Sequence, residues 1–109
     1  MWKKVCTIND IPENGGACVI ESNLQIAIFK ADEGEKWYAV ENQCPHKQQM
    51  VISRGIIGDI QGAPKVACPL HKHTFSLENG NCLSDEKLPD LKTFPVRQED
   101  DFVYIKLEK

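Results

Sequence analysis

Two short motifs, Cys44-Pro45-His46 and Cys68-Pro69-Leu70-His71, each pair one thiol with one imidazole, and 21 residues separate His46 from Cys68. Thiolates and neutral imidazoles are metal ligands, so a site built from both assembles with its metal and loses it in acid. Two loops that each bring one Cys and one His can set two sulfurs on one metal and two nitrogens on its neighbour, a ligand set suited to a two-iron, two-sulfide cluster. Zinc also takes two Cys and two His, although its usual finger arrangement pairs Cys with Cys and His with His at other spacings. Pro45 and Pro69 follow the cysteines directly and stiffen each loop. No Ser-His-Asp pattern or carboxylate pair stands out, so the expectation is a carrier of electrons with no stand-alone catalytic site.

The elements that must position these loops read as short strands. Residues 2–8 form a first candidate, and 10–16 (DIPENGG) are dense in turn formers. Residues 17–21 and 24–31 flank Ser22 and Asn23 as a hairpin, with Leu24, Ile26 and Ile28 alternating with Gln25, Ala27 and Phe29. The aromatic and β-branched run 37–41 (WYAVE) leads directly to Cys44. Between the motifs, 50–53 and 56–57 are short apolar pieces broken by Gly55, Gly58, Gly62 and Pro64, and 65–67 leads into the second motif. Residues 74–77 and 81–83 surround Asn79-Gly80, a dipeptide suited to a tight hairpin turn. Residues 91–97 and 102–107 close the chain as a last hairpin, with Pro95 at an edge or bulge.

No helical apolar stripe runs for three turns, and about 8–10 short strands at regular spacing predict an all-β sandwich or barrel. The 109 residues bound a single domain, 1–109, expected as a basal β unit made by the two ends with residues 43–83 inserted as a smaller ligand-bearing lobe. An apolar content of 41% and a charged content of 27% are ordinary for a soluble protein, and no apolar run approaches a membrane span. The N-terminal MWKKVCTIND lacks the apolar core of a signal peptide, so a cytoplasmic location is expected. Five cysteines and no N-x-S/T sequon fit a secreted disulfide framework poorly. With a net charge of −3 and no basic-aromatic pattern, neither nucleic acid nor membrane is an expected partner.

The run CPHKQQ followed by CPLHKHTFSL resembles the Rieske-type ferredoxin family. The longer SRGIIGDIQGAPKVACPLHKHTFSLENGNCL resembles the small subunits of NAD(P)H-dependent nitrite reductase, and the likeness extends from KKVCTINDIP to the final hairpin. It implies a Rieske 2Fe-2S cluster, with Cys44 and Cys68 on one iron and His46 and His71 on the other, the His-bound iron nearer the surface. It further implies a large partner subunit with FAD, a 4Fe-4S cluster and sirohaem that reduces nitrite to ammonium. Two alternatives accompany this reading: a free-standing Rieske ferredoxin serving an oxygenase, and a zinc-bound or cluster-free interaction module.

High-potential Rieske proteins carry an extra disulfide-bonded Cys in each loop and Ser and Tyr hydroxyls near the cluster. Here the matching places hold Gln49, Leu70, His73 and Phe75. With fewer hydrogen bonds to sulfur, the potential is expected at about −150 mV rather than about +300 mV.

Charge is unevenly spread. Residues 42–77 hold Lys47, Arg54, Lys65 and Lys72 against Asp59 alone, while the remainder is acidic. Lys47 and Lys72 each follow a candidate ligand histidine, so a basic rim that steers docking onto an acidic partner face is expected. His73 reads as a surface loop residue. Cys6, Cys18 and Cys82 read as small packing residues, and Trp2, Trp37 and Tyr38 as core or interface aromatics. Gly15-Gly16 reads as part of a hairpin turn, since no phosphate-binding motif accompanies it.

Overall fold

In the run 24–31, Ile26, Ala27, Ile28 and Phe29 are all fully buried, although successive side chains of a strand point to opposite faces. Such a strand has to lie between two other layers, and that requirement organises the fold. A computed structural model of the chain describes residues 2–13, 15–21, 23–31, 36–44, 49–60, 63–69, 73–84 and 89–106. The described residues contain strands and short 3-10 turns with no α-helix, so the expected all-β class is what forms.

The strands are β1 (Trp2–Thr7), β2 (Gly15–Glu21), β3 (Leu24–Ala31), β4 (Lys36–Glu41), β5 (Gln43–Cys44), β6 (Gln49–Met50), β7 (Ile56–Ile60), β8 (Ala63–Ala67), β9 (Thr74–Ser76), β10 (Thr93–Phe94), β11 (Val96–Glu99) and β12 (Phe102–Lys106). They make four antiparallel sheets, ordered β1-β12-β11, β10-β4-β3-β2, β5-β6 and β7-β8-β9. The β10-β4-β3-β2 sheet is the middle layer. One of its faces supplies Ile26, Ile28, Ala39 and Phe94, which pack with Ile11 and with Val103 and Ile105 of β12. The other face supplies Ala27, Phe29 and Val40, which pack with Ile52, Val66, Cys68, Phe75, Leu77, Cys82 and Leu91. The segment 43–83 therefore has its own sheets, yet its core is shared with the middle layer.

Three local readings change in three dimensions. Residues 91–97 are two strands, because Pro95 is where the chain leaves β4 and joins β12. Lacking an N–H, Pro95 donates to neither ladder, and its carbonyl accepts the Lys106 N–H at 3.0 Å. Gly15-Gly16 lies within β2, paired with Lys30 and Phe29, and is not a turn. A Cβ on Gly16 would collide with the Phe29 ring and crowd the Ser53 carbonyl at 3.0 Å, so glycine there permits close layer contact. The hairpin expected at Asn79-Gly80 is wider than a two-residue turn. Gly80 alone in it has positive φ, at 82°, its N–H donates to the Ser76 carbonyl at 2.9 Å, and the returning arm keeps one bridge, Phe75 to Cys82. The Ser76 hydroxyl accepts the N–H groups of Glu78 and Asn79 at 3.2 and 3.4 Å, which accounts for the wider loop.

Candidate metal centre

The second ligand loop is built from the alternation of β8. Val66 is fully buried, Lys65 and Ala67 are half-buried, and Cys68, two residues after Val66, returns to the inner side at 1% exposure. The thiol thus enters the loop from the core side, among Val66, Phe75 and Ile52. The Cys68 N–H donates to the His73 carbonyl at 2.8 Å and closes the loop at its base. Beyond it, the Thr74 N–H donates to the Ser84 hydroxyl at 3.0 Å, and that hydroxyl lies 3.4 Å from His73 Nδ1. His73 is half-buried and braced rather than a plain surface residue.

The first ligand loop leaves the middle sheet through β4. Its flanks pair as the ribbon β5-β6, with Gln43 opposite Met50 and Cys44 opposite Gln49. Asn42, at the neck, is 2% exposed and accepts the Ser53 N–H on Oδ1 at 2.6 Å. Its Nδ2 donates to Gln25 Oε1 at 3.2 Å and lies 3.5 Å from Cys18 Sγ. Sequence reading missed Asn42; the available signal was an amide placed between an apolar strand and a candidate ligand cysteine. The side chain of Cys44, and His46, His71, Lys47 and Lys72 altogether, lie outside the described residues.

Of the four candidate ligands, Cys68 is the one whose side chain is among the described residues, and its chemistry suits a metal. Cys68 is a free, buried thiol at the mouth of a closed loop, a soft donor held out of water. An open concavity of about 410 Å³, lined by Ile56, Ile57, Lys65, Ala67, Cys68 and Pro69, lies beside it. The other described cysteines lie elsewhere. Cys82 is 8% exposed in the same core, and Cys6 packs against the opposite core. Burial, and then the Asp10 carboxylate, push the Cys6 thiol up to about 11, which keeps it protonated. Cys18 departs from the expectation of a packing residue: it is exposed on β2, where partial burial raises its pKa and a backbone hydrogen bond from Ile26 opposes the rise. Two residues along β2 the strand faces solvent on the same side, with Ile20 71% exposed, which is why alternation there buries neither.

A layered β scaffold whose outer lobe buries the Cys68 thiol at the end of β8 and pairs the flanks of the other motif as the ribbon β5-β6 defines the class, an all-β domain with two candidate ligand loops. The chain belongs to the Rieske-like [2Fe-2S] domain family, whose description matches residues 1–106. It is 35% identical over 105 residues to the nitrite reductase (NADH) small subunit of Escherichia coli K12, covering 96% of each chain. It is 41% identical over 101 residues to nitrite reductase [NAD(P)H] of Emericella nidulans, a match covering 88% of this chain and 9% of that protein. A 39% identity over 101 residues, covering 93% of this chain and 90% of the relative, links it to the 3-phenylpropionate/cinnamic acid dioxygenase ferredoxin subunit of Photorhabdus laumondii. Among solved structures, the E. coli protein NirD superposes with a TM-score of 0.86 at 35% identity, over 96% of this chain and 94% of that one. Among the described residues, no helix is long and apolar enough to cross a membrane.

Proposed function

We propose that this chain is the electron-carrying small subunit of a cytoplasmic NAD(P)H-dependent nitrite reductase. In this reading Cys44 and Cys68 hold one iron of a 2Fe-2S cluster, and His46 and His71 hold the other. The observation that carries the reading is the Emericella match: a counterpart of nearly this whole chain lies within a single polypeptide named for the complete reaction. A module carried in one chain with the rest of an enzyme in one organism is well suited to be its separate subunit in another. The large partner, with FAD, a 4Fe-4S cluster and sirohaem, then performs the reduction of nitrite to ammonium.

When bound, the cluster supplies a one-electron carrier. The chain's own residues hold and shield it. Cys68 brings its donor from the dry side, where Val66, Phe75 and Ile52 keep water away. The Cys68–His73 hydrogen bond fixes the second loop, and the β5-β6 ribbon carries the first. Exposed Met50 follows the first loop at 45% exposure, and Leu83, whose N–H bonds the Thr74 carbonyl beside the second, is 51% exposed.

The test is electron paramagnetic resonance of the dithionite-reduced protein, with Cys44→Ser, His46→Ala, Cys68→Ser and His71→Ala beside wild type. A low-average-g signal lost in all four variants, together with NADH-dependent nitrite consumption restored to the large subunit by wild type alone, is the expected result. A colourless protein containing zinc overturns the redox reading. The Photorhabdus relative favours a second reading, an oxygenase ferredoxin. Reduction of a dioxygenase by this chain, with no effect on the nitrite reductase large subunit, would establish that alternative.

A further inference from the structure

Asn42 and Ser76 are the buried polar residues among those described, and Asn42 is the more connected. Its backbone N–H donates to the Gln25 carbonyl at 2.9 Å, and its carbonyl accepts the Ile52 N–H at 3.1 Å. Its side-chain oxygen takes the Ser53 N–H at 2.6 Å, and its amide nitrogen reaches Gln25 Oε1 and Cys18 Sγ. One residue is thereby bonded to β2, to β3 and to the 3-10 turn Ile52–Arg54. The ribbon β5-β6 departs from Asn42 and returns immediately before Ile52, so these bonds close its neck against the middle sheet. Gly16 lets that turn lie close on β2, with the Ser53 carbonyl 3.0 Å from where a Cβ would sit.

Burial alone does not call for an amide here. An aliphatic side chain of similar shape would fill the space, but it would leave the Ser53 N–H without its acceptor. What a fully satisfied polar network adds is a single allowed geometry. We infer that Asn42 is a positioning residue, which holds the neck of the first ligand loop in one register against the middle sheet and so sets the approach of that loop's ligands to the metal. The inference rests on the assignment of Cys44 and His46 as ligands.

The two side-chain bonds have separable duties. The Ser53 bond ties the turn that ends the ribbon, and the Gln25 bond ties the sheet. Asn42→Asp keeps an oxygen for the Ser53 N–H and loses the donor to Gln25 and Cys18, whereas Asn42→Ala loses both. Ile28→Ala, a deletion in the core on the opposite face of the middle sheet, is the control for general destabilisation.

The experiment compares the cluster-loaded full chain of wild type, Asn42→Ala, Asn42→Asp and Ile28→Ala. The readouts are the resonance line shape after dithionite reduction, the midpoint potential, and the rate of iron release to a chelator. Asn42→Ala is expected to broaden the signal into more than one species and to release iron about tenfold faster, at the low end of what outer partners of metal ligands contribute. Asn42→Asp, which keeps the Ser53 bond but sets a carboxylate oxygen against Gln25 Oε1, is expected to fall between Asn42→Ala and wild type in line shape and retention, and Ile28→Ala to keep the wild-type line shape. Should Asn42→Ala not accumulate, Asn42→Ser, too short to reach Ser53, takes its place under the same criteria. An unchanged line shape and release rate in Asn42→Ala, or an equal disturbance in Ile28→Ala, overturns the inference. Retention of the wild-type signal in Cys44→Ser would instead overturn the ligand assignment, so the two failures are distinguishable.

Discussion

The backbone N–H of Cys68 donates to the carbonyl of His73 at 2.8 Å, so the residues at either end of the second ligand loop are tied across its base. This bond between the described ends of the loop uses backbone atoms and not the Cys68 thiol. Cys68→Ala is accordingly expected to abolish the cluster signal while the apoprotein still folds. Cys68→Ser places a hydroxyl in the same apolar surroundings and is expected to cost the apoprotein a further 1–3 kcal/mol, roughly the penalty of an unsatisfied buried polar group. Urea unfolding of the metal-free variants measures the difference.

Phe29 and Ile28 are neighbours on β3 that serve different cores. Phe29→Ala should lower stability by about 3–5 kcal/mol and Ile28→Ala by about 2–5 kcal/mol. Phe29 supports the layer that contains Cys68, so its truncation should also speed cluster loss, and that of Ile28 should not. Denaturant titration gives the first comparison and the decay of visible absorbance the second.

Cys6 predicts an alkaline limit to stability. Its thiol is raised from 9.0 to about 11, chiefly by burial and then by Asp10, so the folded chain holds the proton more tightly than the unfolded chain. The stability from this group is fully present below pH 9 and is lost as pH rises to about 11. Cys6→Ala should therefore show a shallower decline across that window than wild type. Asp10→Asn should lower the thiol pKa, which alkylation rates against pH will report.

Lys47 and Lys72 adjoin the candidate ligand histidines in the sequence. Replacing both with Glu should slow association with the large subunit by about tenfold at low ionic strength. The difference should shrink as salt is added, because exposed charges are screened beyond about 10 Å at 0.1 M. Stopped-flow association over a salt series measures it, and equal rates and slopes for both proteins would exclude a steering role.

A midpoint potential below zero is the last expectation, from the absence of extra loop cysteines and of hydroxyls at Phe75 and its matching places. Protein-film voltammetry reads it directly, and a positive potential would contradict it.

Much of this protein lies in its covalent order. The spacing of Cys44, His46, Cys68 and His71 marks a candidate metal site because such Cys/His motifs are local in sequence. The alternation of residues 24–31 marks a strand because side-chain direction along a strand has period two. Gly80 marks a loop with positive φ for the same local reason. Tertiary structure alone decided what those strands face. Whether Ile28 and Phe29 serve one core or two depends on layers supplied by residues far along the chain. Pro95 becomes a corner between sheets only because β4 and β12 compete for its two sides. Asn42 looked like any polar residue at the end of a strand. Its role as the neck of the ligand ribbon exists only where Cys18, Gln25 and Ser53 converge on it, since hydrogen bonds between distant segments leave no periodic trace in sequence.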